Sequence, residues 1–145
     1  MSAALDTGVV NALKNDATLQ ALVPGGVYRD VAPESVVNSA LLDASQVYGL
    51  VVLQSALSTY AFNTLAFETC YYLVKFISPS TSPLGAQAAI DRAEVVLAGV
   101  YGSAVGGFAI TASRRAERIS YTDPDGPIYW QHRGVSWMLL ASPTP

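Results

Sequence analysis

The C-terminal part of the chain holds two long runs dense in β-branched and aromatic residues, GFAITASRRAERISYT (107–122) and PIYWQHRGVSWMLLA (127–141), separated only by Asp-Pro-Asp-Gly. Such runs around a proline and glycine turn form a β-hairpin. A hairpin is not stable alone in water, so this one demands further strands and a layer packed against them.

With Asp123–Gly126 as a four-residue loop, the register sets Thr122 opposite Pro127 and Glu117 opposite His132. One face then carries Ile119, Tyr121, Ile128 and Trp130 around the Glu117–His132 pair. The other collects Arg114, Arg118 and Arg133 with Tyr129, Gln131 and Trp137. A basic and aromatic strand face has three readings: a solvated surface, a subunit interface, or the wall of a channel holding a polyanion. The low overall charge favours the interface over the channel.

The remaining elements follow from periodicity. Leu5, Val9, Ala12 and Leu13 recur at helical spacing, and Asp16 is placed to cap a second short helix with Leu19, Leu22 and Val23 inward. Pro24–Gly26 stops it, and 27–33 reads as a short strand closed by Pro33. The stretch ESVVNSALLDAS (34–45) fits a short helical insertion, whereas 49–55 and 65–78 have the composition of buried strands. After the polar loop SPSTSP, Ser82 and Pro83 open a helix to about Tyr101, with Ala86, Ile90, Ala93, Leu97 and Val100 on one stripe. The expected fold is α+β, one domain over residues 1–145: a mostly antiparallel sheet, two or three helices packed on one face, and the C-terminal β-hairpin.

Composition narrows the function. Charged residues are 13% of the 145, about half the usual share, while 51% are apolar and the net charge is −3. So few charges leave apolar surface for other subunits to cover. A membrane does not suit it, because polar residues interrupt every apolar run between Ala44 and Phe67. The first ten residues lack the basic and long apolar regions of a signal peptide. Cys70 is the single cysteine, which excludes an internal disulfide, fits a reducing compartment and reads as a small core residue.

Catalytic patterns fail in turn. A calcium loop needs a glutamate six residues after its glycine, and that position after Gly126 is His132. One histidine and one cysteine are too few for a converging metal site, and Ser113, Ser120 and Ser136 lack a glycine-flanked elbow. No enzyme, metal or cofactor is expected.

The opening LDTGVVNALKNDATLQALVPGGVYRDVAP (5–33) resembles the start of the tail terminator, or tail completion, proteins of long-tailed bacteriophages. The later order also fits: a core strand, a helix after a polar loop, and a closing hairpin with an Asp-Gly turn. Residues 34–46 look inserted and 56–64 look extended. The resemblance implies a homo-oligomer, usually a hexameric ring, that caps the head-proximal end of the tail tube. Such a ring stops tube growth, docks the head-closure or neck proteins, and passes DNA through its bore without sequence preference. It implies residence in the virion after assembly in the host cytoplasm. Expected contact residues are Arg114, Arg118, Tyr129, Arg133 and Trp137, with Phe62 and Asn63 as a second candidate. Two rival readings are another neck ring component (head-closure or adaptor) and a small-molecule-binding domain around Glu117 and His132.

Overall fold

A computed structural model describes residues 3–144. The helices are α1 (Ala3–Lys14), α2 (Ala17–Leu22), α3 (Glu34–Leu42) and α4 (Leu84–Ala98). The strands are β1 (Gly26–Arg29), β2 (Tyr48–Ala61), β3 (Thr64–Pro79), β4 (Ala104–Val105), β5 (Phe108–Asp125) and β6 (Ile128–Pro143). They form one sheet in the order β1-β2-β3-β6-β5-β4, antiparallel except for the β1–β2 pair. The fold is α+β.

Alternation along the strands gives the sheet two unlike faces. Cys70, Tyr72, Val74 and Phe76 of β3, with Val135, Trp137 and Leu139 of β6, pack against Leu5, Val9 and Leu13 of α1 and the buried stripe of α4. Fully burying side chains such as Leu5, Phe76 or Ile90 contributes about 1.5–3 kcal/mol each. Close approach needs glycine here: a side chain at Gly8 would meet Val105, and one at Gly106, where φ is +58, would strike the Ala4 backbone.

The opposite face is only partly covered. Ala40 of α3, with Val36 and Val37, packs against Tyr48, Leu50, Ile77 and Trp130 at one end of the sheet. The helices expected on one face are α1, α2 and α4; a fourth helix, α3, takes the other. Helix α3 starts a new satellite core because Ile77 sits one residue out of step with Phe76, and successive residues of a strand point to opposite faces.

Boundaries moved for local reasons. Strand β1 ends at Arg29, since Asp30 adopts φ +64, a turn conformation. Strand β2 runs well past Ser55 because β3 supplies backbone partners as far as Thr64. Helix α4 ends at Ala98, short of Tyr101, while the Ser82 hydroxyl accepts the Leu84 N–H at its start. Asp16 caps α2 as expected, its carboxylate accepting the Leu19 N–H at 2.8 Å.

The hairpin register is four residues from the expected one. Asp125 pairs with Ile128, so the turn is Gly126–Pro127 alone, and Asp123 and Asp125 belong to β5. Gly126, at φ +59, supplies the positive φ that a two-residue turn of the II′ kind needs at its first position. Glu117 consequently faces Ser136 and His132 faces Tyr121; the Glu117–His132 pair does not form.

Candidate assembly surfaces

The β5–β6 hairpin keeps most of its expected faces, because a four-residue shift preserves alternation. Arg118, Tyr129, Gln131, Arg133 and Trp137 share the side that bears α4. Arg114 does not. A bulge between Arg115 and Glu117 rotates it to the far side, opposite Met138.

On the α4 side the arginines are spoken for. Arg115 and Arg118 both reach Glu94, at 3.1 and 3.2 Å, and Arg118 lies 4.0 Å from Asp91. Arg133 turns back onto its own hairpin, donating to the carbonyls of Tyr121 and His132. Trp137 is a core residue, 4% exposed, whose indole N–H donates to the Ser113 hydroxyl at 2.8 Å. It presents no surface of its own in the subunit. Arg114 is exposed and enters none of these ion pairs.

His132 stacks on Tyr121 with ring centroids 4.4 Å apart, and its buried Nδ1 has no hydrogen-bond partner. Burial, reinforced by the nearby Lys75 cation, holds the imidazole down to about 4. It is a neutral packing group at ordinary pH. Cys70 is fully buried, and burial first, then the Glu68 and Asp6 charges, pushes its thiol up to about 12. The cleft between α1, α2 and β1 is about 250 Å³, lined by Leu13, Leu19, Val23 and Val27, with Lys14 and Gln20 at its wall. It lies away from Glu117 and His132. Among the described residues no group of three or more histidine, cysteine or carboxylate side chains is placed to share a metal ion.

The second surface is the β2–β3 hairpin. The β3–β6 ladder ends at Glu68–Ala141, so residues 59–67 stand clear as a two-stranded arm. Its turn is Phe62–Asn63, both at positive φ, +52 and +62. Paired positive values match the I′ hairpin turn, normally filled by Asn-Gly because a side chain strains it. Here the first position carries a phenyl group that is fully exposed. Leu57 and Tyr60 are exposed beside it, at 69% and 64%.

The two surfaces lie at opposite ends of the sheet: the Phe62 turn beyond the Ala141 end of β6, the Gly126 turn beyond the Trp130 end. The expected contact residues are thus dispersed. The sequence reading missed Leu57 and Tyr60, although the uncharged run from Ala44 to Phe67 that contains them was visible.

No family model matches the chain, and no curated protein matches it in sequence. Among solved structures, a chain from the virion of a native gene transfer agent particle has a similar fold, with a TM-score of 0.72 at 15% identity. The alignment covers 96% of this chain and 95% of that one. At that identity the likeness is one of fold. No described helix is long and apolar enough to cross a membrane.

Proposed function

We propose that this chain is a non-enzymatic structural subunit of a virion, of the tail terminator type. It assembles as a homohexameric ring on the head-proximal end of a tail tube, ends tube growth, and joins the tail to the head-closure proteins of the neck. The observation that carries this reading is the end-to-end likeness of fold to a chain of a gene transfer agent virion. The N-terminal resemblance to tail terminators selects this role among virion components. An exposed, uncharged arm bearing Tyr60 and Phe62, with Leu57 at its base, supplies apolar surface that a partner would cover.

In this reading Phe62 and Asn63 form the arm contact, and Arg114, Tyr129 and Arg133 contribute at the other hairpin. Arg118 acts through its ion pairs with α4. DNA in the bore would not meet Arg115 and Arg118 as free cations, since they pair with Glu94 and Asp91.

Cryo-electron microscopy of the purified protein with and without its tail tubes tests the reading. Sixfold rings at one tube end, with tube length becoming fixed, are expected. Rings that bind only the head side would make it a neck adaptor instead. A monomer that ignores both partners would overturn the proposal. Alanine at both Arg114 and Arg118 with ring formation and tail length unchanged would remove those residues from the contact.

A further inference from the structure

The sheet has two long open edges. Strand β1 covers β2 only over Tyr48–Val51, so from Val52 to Ala61 the outer side of β2 has no strand partner among the described residues. On the far side β4 covers β5 at Phe108 and Ala109, and Gly102 and Ser103 bond the Ile110 backbone. From Thr111 to Asp125 the outer side of β5 is again without a strand partner among the described residues. Most of both segments is exposed. An edge of this kind displays a row of unused N–H and C=O groups, a template for another strand.

Strand direction and charge decide which strand fits. Each of the pairs β2–β3, β3–β6 and β6–β5 is antiparallel, so β5 runs opposite to β2. A second copy set alongside in the same orientation therefore brings its β2 antiparallel to β5 of the first. Two β5 edges would instead close a two-fold dimer and leave both β2 edges open, and each β5 edge mixes Glu117, Asp123 and Asp125 with its arginines. The β2 edge has no charged residue from Ala44 to Phe67, so it meets those arginines without conflict.

We propose that β5 of each copy pairs antiparallel with β2 of the next, so that every subunit uses both edges and the sheet continues around the assembly. This rests on the ring reading in taking a second copy as the partner. Head-to-tail contacts of this kind either close into a ring or run on as a filament. The short strands β1 and β4 limit how far the two edges overlap. Bulges after Leu53 and Arg115 twist both edges and restrict pairing to a strand of matching shape.

Hydrogen–deuterium exchange read by mass spectrometry tests this on the unmodified chain, comparing dilute monomer with assembled particles. Peptides covering 52–61 and 111–125 are both expected to slow by about tenfold or more on assembly. Particles in which neither segment, or only one, gains protection would overturn edge pairing and leave the ring reading standing. A chain that stays monomeric at every concentration, and beside tail tubes, would overturn both.

Discussion

Asp16 and Arg92, 76 positions apart in the chain, are joined by two parallel hydrogen bonds of 2.9 and 2.8 Å. The same carboxylate accepts the Leu19 N–H at 2.8 Å. One side chain thus starts α2 and fastens it to α4, and these bonds hold its carboxyl down to about 2. A depressed folded-state value means that the stability Asp16 contributes is fully present above the ordinary value near 3.8 and is lost as pH falls through about 2. Asp16→Ala should lower the melting temperature more than Asp16→Asn, which keeps a capping oxygen but no charge. Equal losses in thermal scans would mean that the Arg92 pair, not the cap, is all that matters.

His132 predicts a second, separate acid window. Its folded value lies below the ordinary 6.5, at about 4, because burial disfavours the imidazolium. The unfolded chain therefore binds more protons between those values, and stability falls as pH drops from 6.5 towards 4. Since it is the one histidine in the sequence, its proton resonances give the titration directly. A midpoint near 6.5 in the folded protein would refute the buried, neutral assignment, and His132→Gln should flatten the slope in this window.

Tyr72 and Asp6 make a buried polar contact within the core. The Tyr72 hydroxyl donates to Asp6 Oδ1 at 2.7 Å, while Arg29 pairs with Oδ2 at 2.8 Å. Tyr72→Phe removes one donor from a carboxylate that is 5% exposed. The expected loss is about 1–3 kcal/mol, measured from urea midpoints. A change within error would mean that water or Arg29 takes over the freed oxygen.

Ser113 is the centre of a short relay. It accepts from the Trp137 indole at 2.8 Å and donates to the Leu97 carbonyl at 2.6 Å. Ser113→Ala orphans both, at about 1–3 kcal/mol. The indole should also report a changed environment in its fluorescence, and an unaltered spectrum with full stability would sink the relay.

On the proposed ring reading, Phe62 bears on assembly rather than on the stability of the subunit. Glycine at this position relieves a left-handed conformation that costs a side chain about 1–2 kcal/mol. Phe62→Gly should leave the monomer at least as stable in urea while weakening rings or tube capping in sedimentation and electron microscopy. A variant that assembles as well as the parent would take Phe62 out of the contact.

Much of the architecture was legible in the chain itself. The stripe Leu5, Val9 and Leu13 specified α1, Asp16 specified the start of α2, and the Ala86–Leu97 stripe specified α4. Each is a local pattern whose cause lies within a few residues. The site was less legible. Phe62–Asn63 stood out as a loop, yet its exposure depends on where β6 stops pairing with β3. Trp137 read as a contact residue, and it is core, because aromatic composition alone does not distinguish the two surfaces a strand can face.

What the sequence alone determined was every element except the two-residue β4, the α+β class and the presence of a long C-terminal hairpin. Periodicity, caps and turn residues act over short range, so they are written in short stretches of chain. The tertiary structure decided the rest: the turn at Gly126–Pro127, the bulge that sends Arg114 away from Arg118, and the side of the sheet taken by α3. It also decided which strand edges stay open. These depend on pairings between distant residues, where a single inserted residue reverses every following side chain, and no local pattern records that choice.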